Sequence, residues 1–484
     1  MAATDNFLDL DATGQIEALA ARKVSSAELL QAAMARHERL KGQINAVVTT
    51  DPDRALKRAR QMDDQRTRGD ALGPLGGLPM TVKDTFDVTG MPASSGLPVF
   101  LGRDVSDAPV VANARTAGAI IWGKTNTPVM AGDMQTYNDL YGTTNNPWDL
   151  ERTPGGSSGG AAAALAVGVT ALEIGSDIGG SLRTPANFCG VFSHKPTWGR
   201  LSQKGHVPPA PGGTVERDLN VVGPMARSAR DLRLFFSILD GKTPDPAAPA
   251  VPLKGLKVGL WVEDPYFVLD AEVRSHVEGF AERLEEAGAV ITPIQPVDSR
   301  RLFESYLVLL PRVLKEDMPP KMLKGMAAIR PIAKVARRLG AGVTSWAGLA
   351  VNYTATDADW RGANDVREAL CAEVAKRFED VDVILAPINP VPPFHHDHKA
   401  FAQRKLVCSG GQKIPYLAML EWITLATALR LPATAIPAGQ TNMGLPVGVQ
   451  IIGPKGADER NLAIAQGIEE ALGACFTPPP TLGL

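Results

Sequence analysis

The sequence lacks the features of a secreted, nucleic-acid-binding or membrane-spanning protein. Its four cysteines are far apart and form no CxxC pair, which argues against a disulfide framework or a cysteine-ligated metal site. Lysine and arginine number 50 against 52 aspartates and glutamates, so no basic field recruits nucleic acid or an anionic membrane. No uncharged apolar run reaches the roughly 18 residues of a membrane span. Because residues 1–11 are polar and acidic, without a signal-peptide core, we expect a cytoplasmic protein.

The bulk composition is that of a globular enzyme. Hydrophobic residues make up 44% of the 484 residues and charged residues 21%. This length exceeds what one hydrophobic core usually supports, so size alone favours two domains. The proline- and alanine-rich segment 243–252 is the candidate linker. It is either a domain boundary or a surface crossover within one fold, and we favour the crossover.

Two glycine clusters that contain serine are the most informative feature. Residues 155–160 read Gly-Gly-Ser-Ser-Gly-Gly, and residues 175–181 read Gly-Ser-Asp-Ile-Gly-Gly-Ser. Because glycine has no Cβ, such loops let backbone N–H groups converge on a reacting oxygen. A serine directly after a glycine pair has a nucleophilic hydroxyl with an oxyanion site beside it. The histidines follow no familiar serine-hydrolase order, so Lys83, at the end of a strand predicted over 78–82, is the candidate proton acceptor.

The residues around these clusters resemble the amidase signature family, in its free-standing bacterial form. The resemblance covers most of the chain, is densest from about 77 to 239, and is weakest from about 299 to 360. The matching segments, in order along the chain, are 77–84, 123–126, 141–149, the two serine clusters, 195–197 and 444–450.

The family resemblance implies an α/β fold. We expect a single large α/β/α domain over residues 1–484, with a central mixed β-sheet flanked by helices. The signature core would span about 60–240, a variable substrate-side region about 299–360, and a C-terminal return to the core about 380–455.

The resemblance also implies roles for three side chains. Ser181 would be the nucleophile, Ser157 the residue that bridges it to the base, and Lys83 the base. The peptide bond between Gly156 and Ser157 would be cis. Lys83 can accept a proton only as the neutral amine, so we expect burial to lower its pKa. No cofactor or metal is needed for this chemistry.

Further residues are expected to support this site. The backbone N–H groups of an oxyanion hole would come from Ile178, Gly179, Gly180 and Ser181. Three neighbouring residues are interpreted as mainly structural. Ser158 is the second serine of its pair, and Asp177 and Arg183 form a charge pair that holds the second loop rigid.

The expected substrate is a small-molecule amide. The residues interpreted as pocket walls are mostly apolar, and they favour aryl or alkyl amides, anilides or carbamates over a charged amino acid amide. They are Met130, Gly132, Gln135, Tyr137 and Trp198, together with the loop 200–214. We expect neither a nucleic acid nor a membrane as partner, and we leave a homodimer open.

Three further motifs suggest other chemistry. Residues 118–125 match the Walker A pattern GxxxxGKT, but 119–122 reads as a strand where a phosphate loop is required. Residues 156–160 match GxSxG, which would make Ser158 the nucleophile of an α/β-hydrolase esterase, but a polar loop precedes them instead of a strand. The cluster 395–398, His-His-Asp-His, lies in a proline-rich loop with no partner motif, so we interpret it as solvated rather than metal-binding.

Two other functions and one segment stay open. The chain could be the A subunit of a tRNA-dependent amidotransferase, although 311–346 does not resemble that subunit, or a catalytically inactive binding protein. In 311–340, basic residues alternate with methionine and other apolar residues. This segment is either an amphipathic helix for a membrane surface or partner, or a solvated helix over the substrate entrance, which we favour.

Overall fold

The structure is a computed structural model that describes residues 6–211, 216–473 and 475–480. Helices alternate with strands along most of this length. The α-helices are α1 (Ala12–Ala20), α2 (Ser26–Ile44), α3 (Pro52–Arg68), α4 (Pro109–Thr116), α5 (Gly159–Ala166), α6 (Arg183–Cys189), α7 (Ala229–Leu239), α8 (Ala271–Glu286), α9 (Ser299–Leu314), α10 (Pro320–Arg338), α11 (Trp346–Tyr353), α12 (Asp357–Asp380), α13 (Thr424–Ala428) and α14 (Asp458–Leu472).

The strands are short, and seven of those in the described ranges are buried along their whole length. They are β1 (Val47–Thr50), β2 (Pro79–Lys83), β3 (Ile120–Thr125), β4 (Tyr137–Asn138), β5 (Gly142–Thr143), β6 (Leu172–Asp177), β7 (Phe192–Lys195), β8 (Val221–Ala226), β9 (Lys257–Leu260), β10 (Val290–Pro293), β11 (Val383–Pro387), β12 (Lys405–Val407), β13 (Lys413–Pro415), β14 (Ala433–Gln440) and β15 (Pro446–Ile452).

A mixed eight-stranded sheet forms the centre of the fold. Its order is β10-β9-β11-β15-β14-β7-β8-β6. The pairs β10/β9 and β9/β11 are parallel, and every later pair is antiparallel. Helices flank this sheet, so the structure confirms the expected α/β class with a central mixed sheet.

A separate three-stranded sheet, ordered β1-β3-β2, carries the candidate lysine. It meets the edge strand β6 and the turn before it through Thr81. The Thr81 hydroxyl donates a hydrogen bond to the Glu173 carboxyl group on β6, and the Thr81 backbone amide donates to the hydroxyl of Thr170, which precedes β6. Lys83 is the last residue of β2. The junction therefore places Lys83 beside β6 and the loop that follows it.

Local sequence signals explain several elements. Helix α5 is built almost entirely of glycine and alanine, and all its residues are buried, because small side chains let neighbouring elements approach from every side. Ser25 and Glu28 form a capping box at the start of α2. The strand predicted over 78–82 is confirmed within one residue by β2 (Pro79–Lys83).

Buried hydrophobic residues of the described ranges form one extensive cluster and a second, small one. The small cluster, built around Ala333, Ala347 and Ala350, joins α10 to α11. The candidate linker 243–252 contains neither helix nor strand, and its Val251 amide donates to the Ala463 carbonyl on α14. Within the described ranges, no helix combines the length and apolarity needed to cross a membrane.

Candidate active site

Lys83 lies beneath the two serine clusters with no solvent exposure. Its Nζ is 2.7 Å from Ser157 Oγ and 3.0 Å from Ser176 Oγ. Burial lowers the pKa of Lys83 to about 7, although the carboxylates of Asp177 and Glu173 oppose this shift. Burial also raises the pKa of Glu173 to about 8. Lys83 is therefore available as a neutral amine near pH 7.

Burial alone does not single out Lys83 among the lysines. Lys195 is also fully buried, and burial together with nearby Arg183 lowers its pKa to about 7. Its Nζ, however, donates to the backbone carbonyl of Pro196, 2.8 Å away. A carbonyl oxygen has no proton to give, so the hydroxyl partner distinguishes Lys83 as a candidate base.

The first serine cluster passes through a crowded turn. A Cβ built on Gly156 would lie 2.7 Å from both the Asp133 carbonyl oxygen and the Gln135 amide nitrogen, so only glycine fits there. The bond between Gly156 and Ser157 is cis, as the family resemblance led us to expect. The Ser158 amide donates to the Ser181 carbonyl at 3.3 Å. The two serine clusters are thus joined directly by backbone.

An ion pair buried within the second cluster fixes its shape. Arg183 Nη2 lies 3.1 Å from Asp177 Oδ1, and both side chains are inaccessible to solvent. The same carboxylate accepts the amides of Gly180 and Leu182 at 2.9 and 3.1 Å. Burial tends to raise the pKa of Asp177, but Arg183 outweighs it and holds the pKa below its usual value. The loop between β6 and α6 is therefore held from inside by a charged carboxylate.

The backbone amides available to an oxyanion are fewer than the sequence suggested. The Gly180 amide is already engaged by Asp177, which corrects its inclusion among the donors. No acceptor within the described part of the chain is bonded to the amides of Ile178, Gly179 or Ser181. Tyr306 of α9 donates its hydroxyl to the Ile178 carbonyl at 2.8 Å, which orients that peptide group. Three unengaged amides therefore remain in the segment that ends at Ser181.

Ser181 opens onto a cavity of about 370 Å³. Three groups of elements line this space: the loop after β3, the second serine cluster, and the helices α9 to α11 with residues near 401 and 417–420. Its apolar lining includes Met130, Met134, Leu310, Leu314, Met318, Met322, Met326, Leu349, Phe401, Leu417 and Leu420.

Both carboxylates in the cavity lining are paired with arginine. Asp133 lies 2.7 Å from Arg404 Nη1, and its other oxygen accepts the Tyr416 hydroxyl at 2.7 Å. Asp317 forms an ion pair with Arg217. Within the described lining, no charged side chain is left without a partner, so the cavity offers an apolar surface with neutralised charges.

The cavity lining includes two of the five expected pocket residues. Met130 and Gly132 line the cavity, but Gln135, Tyr137 and Trp198 do not. The Gln135 side chain exchanges two hydrogen bonds with the backbone of Asp397. Because these three side chains are polar at one end, they serve as hydrogen-bonding partners for neighbouring loops rather than as walls.

Tyr137 and Trp198 each support a neighbouring segment. Tyr137 stacks on His398 with 3.8 Å between ring centroids and bonds to Asp133 through its hydroxyl. Trp198 donates its indole N–H to the Arg217 carbonyl at 2.9 Å. Residues 212–214 of the expected pocket loop lie outside the described residues.

Sequence reasoning missed most of the cavity and two polar neighbours of Lys83. The cavity side of α9 to α11 comes from the segment that matched the family least, so no motif marked it. Ser176 lies inside the second serine cluster, but nothing in the sequence shows that its hydroxyl faces Lys83. His206 contacts this serine: its Nε2 lies 2.8 Å from Ser176 Oγ. Only the tertiary structure brings these residues together.

The Walker-like match is part of a strand, as predicted. Lys124 is on β3 with no solvent exposure, donates to the Phe86 and Met91 carbonyls, and lies 3.4 Å from Asp84. A side chain engaged in this way cannot reach a bound phosphate. The GxSxG motif also lacks the preceding strand that an α/β-hydrolase esterase requires, since the described residues 144–158 contain no strand before Ser158.

We expect Lys124→Ala to destabilise the fold by about 3–5 kcal/mol, because it leaves the buried Asp84 carboxyl group without its charged partner. ATP or GTP should leave the melting temperature of the wild-type protein unchanged. Thermal unfolding with and without nucleotide measures both effects, with Lys57→Ala on the exposed face of α3 as the matched control. A nucleotide-dependent rise in melting temperature would contradict this interpretation.

The histidine-rich loop shows no metal site. Within the described ranges, no three histidine, cysteine, aspartate or glutamate side chains are grouped to hold an ion. His395 forms an isolated backbone bridge with Arg152, and His398 stacks on Tyr137. The four cysteines are free, and two of them are buried.

Comparison with known proteins identifies the family. The amidase family profile matches residues 28–462. Several bacterial glutamyl-tRNA(Gln) amidotransferase A subunits match at 30 to 33% identity. The one from Koribacter versatilis (strain Ellin345) is 30% identical over 97% of this chain and 99% of its own length.

Solved structures agree with this result. A crystal structure of an amidase superimposes with a TM-score of 0.79 and 29% identity, over 96% of this chain and 100% of the other. The structure of 6-aminohexanoate cyclic dimer hydrolase gives a TM-score of 0.77 and 26% identity, over 98 and 99% of the two chains. With a match over nearly its whole length, the chain belongs to the amidase signature family.

Proposed function

We propose that this protein hydrolyses the amide bond of small, neutral, apolar amides, anilides or carbamates through an acyl-enzyme on Ser181. The observation that carries the proposal is the 2.7 Å hydrogen bond between Lys83 and Ser157, in a buried site next to a serine that opens onto an apolar cavity. The buried lysine supplies a base, and the cavity supplies a place for the substrate.

The first half of the reaction forms the acyl-enzyme. Ser181 Oγ attacks the carbonyl carbon and gives its proton to Ser157 Oγ, which passes its own proton to neutral Lys83. The negative oxygen of the tetrahedral intermediate accepts hydrogen bonds from the unengaged backbone amides near Ser181. Lys83 then returns a proton through Ser157 to the nitrogen, the C–N bond breaks, and the amine leaves.

The second half releases the acid. Water attacks the ester formed with Ser181 and gives a proton to Lys83 through Ser157. Collapse of the second intermediate breaks the bond to Ser181 Oγ, which regains its proton. In sum, one amide and one water give one carboxylic acid and one amine, and the enzyme returns to its starting state.

The charges around the cavity support a neutral substrate. Asp133 and Asp317 are each paired with arginine, so an ammonium or carboxylate group on the substrate would meet no free partner of opposite charge. Burying an unpaired charge costs about 3–5 kcal/mol, which corresponds to roughly 10²- to 10⁴-fold in kcat/KM. Free glutamine, which carries both charges, should therefore be a poor substrate.

A substrate panel tests this proposal. Matched concentrations of an aryl anilide, a short aliphatic amide, a carbamate and glutamine are offered, and amine and ammonia release are measured. We expect the anilide to give the highest kcat/KM, and glutamine to fall at least about 10²-fold below it. Preference for glutamine would contradict the proposal.

The second candidate function is the A subunit of a tRNA-dependent amidotransferase. The observation in its favour is the match to such subunits at 30 to 33% identity. That function needs further subunits, so purification from the native cell distinguishes the two. Co-purification of a second subunit together with glutaminase activity would establish this alternative.

A further inference from the structure

His206 is a buried histidine that belongs to the hydrogen-bonded surroundings of Lys83. Its Nε2 lies 2.8 Å from Ser176 Oγ, and its Nδ1 lies 2.6 Å from the Pro208 carbonyl oxygen. Ser176 Oγ in turn lies 3.0 Å from Lys83 Nζ. The imidazole ring also packs edge-on against Phe86 with 4.9 Å between centroids. The chain of contacts thus runs from Lys83 through Ser176 and His206 to Pro208.

The direction of each hydrogen bond in this chain follows from the atoms involved. A carbonyl oxygen only accepts, so Nδ1 of His206 carries the hydrogen that bonds to Pro208. Burial, then the charges of Lys83 and Arg217, lower the pKa of His206 to about 3, so the ring is neutral and Nε2 has no hydrogen. Ser176 must therefore donate its only hydroxyl hydrogen to His206, and its oxygen accepts an N–H from Lys83.

This arrangement removes a competitor for the lone pair of Lys83. A neutral amine has one lone pair, and two hydroxyl groups lie within hydrogen-bonding distance of it. With the Ser176 hydrogen held by His206, only the Ser157 hydroxyl can donate to that lone pair. We propose that His206 is a positioning residue that, by holding the Ser176 hydroxyl, reserves the lone pair of Lys83 for Ser157. This proposal rests on the proposed function, in which Lys83 is the base.

The same contacts predict an effect on the proton affinity of Lys83. Protonated Lys83 donates to Ser176, and that bond is strengthened while Ser176 donates onward to His206. Without His206, the Ser176 hydroxyl would have no acceptor other than the neutral amine, which favours the uncharged lysine. The other ionisable groups acting on Lys83, Asp177 and Glu173, would be unchanged. Loss of His206 should therefore lower the pKa of Lys83 further.

The test is a pH–rate profile of His206→Leu on an anilide. We expect kcat to fall about 10- to 100-fold with KM changed less than about threefold, as for one lost element of general base catalysis. KM needs its own measurement, since Pro208 also lines the cavity. Because the rate requires neutral Lys83, the midpoint of the acid limb should move to lower pH. A structural defect alone would lower the rate without moving the midpoint.

Two further variants make the test specific. His206→Gln keeps an oxygen that can accept the Ser176 hydrogen, so it should restore most of kcat and the wild-type midpoint. Ser176→Ala removes the link itself and should also move the midpoint down. In the Ser176→Ala background, adding His206→Leu should cost no further activity, because His206 acts only through Ser176.

The outcomes distinguish this proposal from the proposed function on which it rests. If Lys83→Ala keeps the wild-type acid limb, the proposed base is wrong. If Lys83→Ala loses the limb but His206→Leu leaves the midpoint in place, or if its effect adds fully to that of Ser176→Ala, the positioning role is wrong. Should His206→Leu fail to fold, Ser176→Ala decides: an unchanged midpoint there overturns the proposal.

Discussion

Ser181→Ala is expected to lower kcat for an aryl amide on the order of 10⁶-fold, because it removes the attacking hydroxyl and little else. The Ser181 side chain opens onto the cavity, and its hydroxyl makes no hydrogen bond with the described residues. The melting temperature and the binding of a non-hydrolysable amide should therefore stay at the wild-type values. Steady-state kinetics, thermal unfolding and calorimetry measure the three quantities.

The adjacent pair of serines provides a matched control. Ser158 is one residue from Ser157, and its hydroxyl makes one long contact of 3.4 Å with the Ser176 carbonyl. Loss of one such bond costs about 1 kcal/mol, so Ser158→Ala should keep kcat within about tenfold of wild type. The reverse pattern, with Ser158→Ala inactive and Ser181→Ala active, would support the esterase interpretation.

Lys83→Ala is expected to cost more with an amide than with an activated ester of the same acid. The lysine draws a proton from Ser181 through Ser157 and then holds it for the leaving nitrogen. A nitrophenolate leaves without a proton, so an ester needs only the first task. General acid–base catalysis contributes about 10²–10⁴-fold. We therefore expect a loss near 10⁴-fold on the nitroanilide and near 10²-fold on the nitrophenyl ester.

The pH dependence of the rate tests the same role of Lys83. Lys83 works as a neutral amine, so activity should rise with pH as the lysine loses its proton, with a midpoint near its pKa of about 7. That limb should be absent in Lys83→Ala. Equal losses on the two substrates, or an acid limb that persists in the variant, would assign the proton to another group.

Much of the fold could be predicted because its signals are local. The strand that ends at Lys83, the alanine-rich helix α5 and the capping box of α2 each depend on a few neighbouring residues. The cis bond at Ser157 and the class of the sheet came from the family resemblance instead. Glycine spacing marked the two serine clusters because close backbone approach leaves few other choices of residue.

The residues that line the cavity could not be predicted, because contacts between segments far apart in the sequence bring them together. Gln135 and Tyr137 looked like pocket walls by their place in the sequence, yet their polar ends bond to segments some 260 residues further along the chain. Met322 and Met326 line the cavity although their helix, α10, carries no family motif. The same segment also exposes apolar residues such as Ile332 and Leu339, so its role as a cover over a substrate entrance stays a prediction.

Covalent labelling tests the central claim, that Lys83 activates Ser181 through Ser157, most directly. The protein is treated with an aryl sulfonyl fluoride across pH 5 to 9, and the modified peptide is located by mass spectrometry. The account predicts label on Ser181, a rate that rises through a midpoint near pH 7, and loss of this rise in Lys83→Ala and Ser157→Ala. Label on Ser158, or a rate on Ser181 that does not depend on Lys83, would contradict it.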